Sequence, residues 1–238
     1  MKITYIHHSC FSVEIDDLVM IFDYYRGSLP EFDPGKQIFV FASHKHGDHF
    51  NKCIFDLVKV YPNITFLLSN DIRMNEAYMD RIQIPPAARQ NIIYTRGNES
   101  LKLPSLTVET LSSTDEGVAF IVTARGRMLY HAGDMNWWTW PEDTEKEYKD
   151  MTQRFLNEME KLEGRHFDAA FVPLDPRQED RFWWGFHHFM KITDTDRVFP
   201  MHFQMDYSII CRLKGMKEVK EYADKVMEIT EEGQQFTL

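Results

Sequence analysis

Short apolar runs rich in Val, Ile, Phe and Tyr recur along the chain and close on polar residues. That is the pattern of buried strands whose C-terminal loops carry function. Five runs stand out: "LVMIFD" closing on Asp23, "QIFVFASH" on His44, "RMLYHAGD" on Asp134, "DAAFVPLD" on Asp175 and "RVFPMH" on His202. Strands of common polarity in neighbouring sheets would bring these terminal residues to one cleft. Further strands are expected at "KITYI", "CFSVEI", "ITFLLS", "SLTVETL" and "VAFIVTA", several of which alternate apolar and polar positions. Helical spacing appears at Tyr148, Met151, Phe155, Met159 and Leu162, with Pro141 near the start and Gly164 placed to cap the end. A second helix is expected over Lys217 to Met227, where Val219, Tyr222, Ala223 and Val226 share a face. The aromatic segment "RFWWGFHHFM" reads as a packed helix. Strands and helices interleave, which predicts an α/β chain with one domain over 1–238 and no internal repeat.

Composition narrows the class. With 43% hydrophobic and 27% charged residues the chain reads as globular, neither disordered nor fibrous. A net charge of -10 repels polyanions, so nucleic acid is not an expected partner. The N-terminus "MKITYIHHSCFSVEIDD" alternates like a strand rather than a signal peptide, and no run of about 18 apolar residues is present to span a bilayer. Cys10, Cys53 and Cys211 lie far apart, which suits a reducing compartment. The expectation is a cytoplasmic protein acting on a small molecule, with no membrane partner.

The candidate chemistry sits in "FASHKHGDHF". His44, His46, Asp48 and His49 crowd into six residues directly after a buried strand. Two imidazoles at i, i+2 cannot share a helix face, but in a loop leaving a strand both can turn to one cation, with Asp48 and His49 reaching a neighbouring position. Gly47 suits a tight turn with positive φ.

"HKHGDH" resembles the HxHxDH signature of the metallo-β-lactamase superfamily. The likeness extends to "HHSCF" (His7 to Phe11), to Asp23, to "HAGD" with Asp134 and to "FPMHF" with His202. It is most similar to the branch that contains ascorbate-phosphate lactonase. The resemblance implies a four-layer αββα sandwich with a metal site at the edge of its two sheets. It also implies that Asp134 bridges two ions, that His44 and His46 hold the first, and that Asp48, His49 and His202 complete the second. The family usually supplies one more histidine before the bridging aspartate. Here none occurs between His49 and His131, and Ser112 and Ser113 stand in its place. Three resolutions are open: His131, His187, His188 or Glu116 substitutes; water completes a weaker site; or a single ion binds. His131 lies three residues before Asp134 in a strand pattern, which reads as a hydrogen-bonded structural residue on the opposite face. His8 is placed as an outer group of the site.

One or two divalent ions, zinc above all, with manganese or iron as alternatives, can hold a hydroxide near neutral pH. The expected activity is hydrolysis of a small ester, lactone or phosphoester, with Asp48 as ligand and catalytic group orienting the hydroxide. Trp137 in "MNWWTW" is a candidate wall of the substrate cleft, with anchoring of the following helix as the alternative. Arg177 is a candidate anion clamp, with a salt bridge to Asp175 as the alternative. The competing functions are a mononuclear or non-catalytic metal- or ligand-binding protein and an iron-dependent oxidoreductase.

Overall fold

Each of the five apolar runs is a strand in the computed structural model, which describes residues 1–238. The chain divides into two units, Met1–Arg96 together with Glu231–Leu238, and Gly97–Thr230.

The first unit is built on β1 (Lys2–His7), β2 (Cys10–Ile15), β3 (Leu18–Phe22), β4 (Gln37–Ala42), β5 (Ile64–Ser69), β6 (Ile92–Thr95) and, from the chain end, β15 (Gln235–Thr237). They form one sheet in the order β15-β1-β2-β3-β4-β5-β6. β1 to β3 are antiparallel, whereas β3 to β6 run parallel. A parallel sheet is covered on both faces, which is why "LVMIF" and "IFVFA" are continuous apolar runs rather than alternating ones. Ile21, Val40 and Leu68 of one face pack with Ile54 and Phe55 of the 3₁₀ segment Lys52–Lys59. Met79 of α1 (Glu76–Arg81) and Ala88 of α2 (Pro86–Arg89) join the same cluster. Phe22 and Phe41, also fully buried, stack with centroids 4.7 Å apart.

The second unit carries β7 (Ser100–Lys102), β8 (Thr107–Ser112), β9 (Val118–Ala124), β10 (Arg127–His131), β12 (Ala169–Pro173) and β14 (Val198–Met201). Their order is β14-β12-β10-β9-β8-β7, and the short β11 (His166–Phe167) and β13 (Asp194–Thr195) pair separately. β10, β12 and β14 are parallel neighbours. The expected helix is α3 (Glu145–Met159), extended by a 3₁₀ turn to Leu162 and followed by Gly164 at φ 71°. Thr144 starts it with a capping box, its hydroxyl accepting from the Glu147 amide while the Glu147 carboxylate accepts from the Thr144 amide. "WGFHHFMKI" is α4 (Trp184–Ile192), a packed helix as its aromatic content suggests, and α5 (Ser208–Lys214) follows. No helix is long and apolar enough to cross a membrane.

Lys217 to Met227 is not the expected α-helix. Lys217–Val219 is a 3₁₀ turn, and the chain continues through three-residue turns in which Tyr222 N donates to Val219 O and Lys225 N to Tyr222 O, each at 3.0 Å. Val219, Tyr222 and Val226 are buried all the same. A spacing near three is met equally well by consecutive three-residue turns, and the bridge from Val226 to Val198 draws the chain out of helical geometry.

Between β11 and β12, Asp168 accepts from Arg127 Nη1 at 2.5 Å and from the Met128 amide at 2.8 Å. Burial pushes its carboxyl pKa up, but the Arg127 and Met128 bonds outweigh this and hold it below the ordinary value. A depressed folded-state pKa means the contribution is present above the unfolded carboxyl pKa of about 3.9 and is lost as pH falls through the folded value. Asp168→Asn should therefore cost about 1–2 kcal/mol at neutral pH, the half-exposed Arg127 keeping it modest. In denaturant titrations the gap to wild type should close below about pH 4; a gap independent of pH would contradict this.

Candidate metal centre

In the first unit, β3 and β4 are parallel with Phe22 opposite Phe41, so the residues that follow them leave the sheet at one edge. Asp23 follows β3 with φ 48°, a conformation that short polar side chains tolerate. Its buried carboxylate accepts from Ser43 N at 2.7 Å, from Ser43 Oγ at 2.7 Å and from His49 Nδ1 at 2.8 Å. The loop after β4 closes through His49 N and Phe50 N, which both donate to His46 O. This turn brings the His49 ring within 4.2 Å of His44 and the His46 ring within 4.6 Å of His44, centroid to centroid. Gly47 does not adopt the expected positive φ, and a Cβ there would meet open space. A single helical turn through His46 to Phe50 suffices. His44 and His49 are buried, while His46 is exposed and Asp48 half-exposed.

In the second unit the parallel register sets His131 beside Phe171 and Pro173 beside Met201, so Asp134, Asp175 and His202 follow the same sheet edge. His202, at φ 60°, shares its Nδ1 proton with Asp175 Oδ2 at 2.9 Å and places Nε2 3.5 Å from Asp134 Oδ1. Asp175 is buried and also accepts from Arg177 N and Nε, at 2.9 and 3.0 Å. Burial pushes its carboxyl pKa up, and the His202 and Arg177 bonds more than reverse that, keeping it below the ordinary value. Arg177 is thus in the salt bridge named as the alternative to an anion clamp, where it holds Asp175 ionised behind His202.

The other expected residues fall in place around these. Trp137 stacks on Phe155 of α3 at 5.4 Å and donates its indole proton to Thr152 Oγ1, so it anchors the helix. Trp138 is the indole at the centre: its Nε1 donates to Asp134 O at 2.8 Å and its ring stands edge-on to His202. His131 is buried and accepts from Gly133 N, a structural role. His187 donates to or accepts from Tyr222 OH, and His188 packs on Trp137 and Phe155. Burial lowers the pKa of both.

The residue missed by sequence reasoning is Asp115. Ser113, one of the two serines in the histidine's place, accepts from Asp115 N at 3.1 Å, and Thr114 Oγ1 donates to Asn136 O at 2.6 Å. The first bond turns the chain and the second ties that turn to the loop after Asp134. As a result Asp115 and Asp134 offer carboxylate oxygens within 4.8 Å of each other. Ser112 faces away, bonded to Asn98 and Glu158. The available signal is the acidic pair Asp115 and Glu116 shortly after the serines, of which only Glu116 stands among the candidate substitutes.

The profile of the β-lactamase superfamily domain matches residues 2–148. The chain belongs to that superfamily. A metal-dependent hydrolase of Cereibacter sphaeroides is 24% identical over 152 residues, 56% of this chain; the chain spans 63% of that relative's length. Among solved structures, a metallo hydrolase of the archaeon Ignicoccus hospitalis superposes with a TM-score of 0.63 at 20% identity, covering 100% of this chain and 98% of that one. CmlA, a diiron β-hydroxylase of Streptomyces venezuelae, gives 0.52 at 13% identity over 86% of this chain and 45% of its own. These likenesses share a fold: two large sheets with helices, as the metallo-β-lactamase resemblance implied.

The donors of this superfamily member suit a divalent cation. With Nδ1 held by a carboxylate, the rings of His49 and His202 leave Nε2 as the ligating nitrogen, the arrangement that orients imidazole ligands and raises their basicity. The 3.5 Å from His202 Nε2 to Asp134 Oδ1 is near the ~3.3 Å separation of two ligands on one tetrahedral ion with bonds of about 2.0–2.1 Å.

Asp23→Ala strips an acceptor from three buried donors. It should cost about 3 kcal/mol or more, at roughly 1 kcal/mol or more per orphaned group. The check is the urea midpoint, and a midpoint equal to wild type would contradict the role given to Asp23.

Proposed function

We propose that the protein is a metal-dependent hydrolase of a small ester, lactone or phosphoester. The observation that carries this reading is the repeated device of a buried carboxylate behind an imidazole, Asp23 behind His49 and Asp175 behind His202. In the proposed centre His44 and His46 would hold one ion with Asp115 in place of the family's histidine, Asp48, His49 and His202 would hold a second, and Asp134 would be shared between them. Superfamily membership and the donor chemistry of each unit support this grouping. When bound, divalent cations supply Lewis acidity and lower the pKa of water to about 7.

The chain's own residues divide the remaining work. Asp48, half-exposed, accepts a hydrogen bond from the attacking water and orients it. Asp175 and Asp23 fix the rings of His202 and His49. Trp138, buried against His202, backs the half-buried Trp140 with ring planes 10° apart, and the Trp140 face is the apolar surface for the uncharged part of a substrate. The substrate is a small molecule rather than nucleic acid, in keeping with the net charge of -10. The three cysteines, none in a disulfide, fit a reducing compartment, and we place the protein in the cytoplasm.

One observation favours a second reading. The two histidines and one carboxylate that His44, His46 and Asp115 would supply in the proposed centre are a donor set suited to iron, which would support oxidation rather than hydrolysis. Protein loaded separately with zinc, manganese and iron distinguishes the two on panels of esters, lactones and phosphodiesters, with oxygen uptake followed in parallel. Hydrolysis is expected, falling about 100-fold or more in Asp48→Ala. Full activity of Asp48→Ala at full metal content would refute the role of Asp48. Oxygen uptake with iron and no hydrolysis with any metal would establish the second reading.

A further inference from the structure

The two adjacent histidines of "HHSCF" are used differently. His7 is committed to packing and charge: its Nδ1 pairs with Glu232 and its Nε2 accepts from Arg26 Nε at 2.9 Å. His8 lies in the turn between β1 and β2, with its side chain 6% exposed. Its φ of 54° is costly for a residue with a Cβ, by roughly 1–2 kcal/mol. The strain is held by its own amide, which donates to the hydroxyl of the fully buried Tyr5 at 3.0 Å. Strained conformations of this kind persist where the surroundings over-determine them, and they collect at functional sites.

The direction of the His8 ring is informative. It stands edge-on to His49, with centroids 5.5 Å apart and planes at 81°. Its Nε2 is 3.5 Å from Asp48 Oδ2. That is longer than the 2.9–3.0 Å of an ordinary N–H···O bond and close to the ~3.3 Å between two ligands of one tetrahedral cation. One ligand atom from each of His8, Asp48 and His49 lies within 4.8 Å of the others.

We propose that His8 is a direct metal ligand, completing with Asp48 and His49 a two-histidine, one-carboxylate group that lies wholly within the first unit. The inference rests on the metal centre proposed above and adds a ligand to it. The cation is a borderline divalent ion such as zinc, cobalt or iron, which imidazole nitrogen prefers. The left-handed turn of "HHS" serves to swing the second histidine away from the Glu232 pair used by the first and towards Asp48.

Cobalt(II) loaded into the full chain tests this by affinity and by spectrum. The variants are His8→Asn, which tolerates the left-handed turn, and His8→Ala, with circular dichroism confirming the fold of each. Both should bind one cobalt at least ~100-fold more weakly, beyond the 10–100-fold typical of losing an outer partner. The visible cobalt absorption should change in intensity, and one hyperfine-shifted imidazole N–H resonance should disappear from the proton spectrum. Variants that keep the cobalt affinity, the absorption and every shifted imidazole resonance would overturn His8 as a ligand and leave the metal centre standing. A wild-type chain that binds no cobalt, zinc or iron would overturn both.

Discussion

A buried carboxylate behind an imidazole is the interaction on which the rest of this molecule depends. Asp23 is enclosed in the first unit, where an isolated charge would be costly. It is tolerated because three donors from Ser43 and His49 close around it. The same bonds fix the exit of the loop after β4, hold the His49 ring and, through Ser43 Oγ to His44 Nδ1 at 3.0 Å, set the His44 ring as well. Stability and ligand geometry therefore come from one group. Asp175 repeats the arrangement in the second unit, with Arg177 neutralising it from the solvent side.

Sheet polarity explains why the device occurs where it does. Functional groups at the C-terminal ends of strands share an edge when the strands run in the same direction, as β3 and β4 do in one sheet and β10, β12 and β14 in the other. Each unit thus delivers its donors at one edge, from residues widely separated in sequence. His8, Asp23 and His202 follow strands with positive φ, and each has a polar side chain or neighbour that steadies the bend.

Much of this was legible in the sequence because buried parallel strands are continuous apolar runs, and the polar residue closing each run marks the functional edge. α3 was legible through its spacing and its Gly164 exit. What escaped reading has physical causes. β6, β7 and β15 are short edge strands with weak patterns. Lys217 to Met227 has a spacing that three-residue turns satisfy as well as a helix does. Asp115 is brought to Asp134 by the side chains of Ser113 and Thr114, a relation between loops that no periodicity encodes. The division of labour among the tryptophans turns on which way each ring faces, and adjacent positions in an irregular loop do not reveal it.

The central claim is that the two sets of carboxylate-backed donors exist to hold divalent metal, with Asp115 restoring the position left without a histidine. Native mass spectrometry of chelator-free protein, reconstituted with zinc and then exchanged into metal-free buffer, measures this directly. About two ions retained per chain is the predicted result, with Asp115→Ala retaining about one. Protein that keeps no ion after reconstitution, or keeps both in the absence of Asp115, would contradict it.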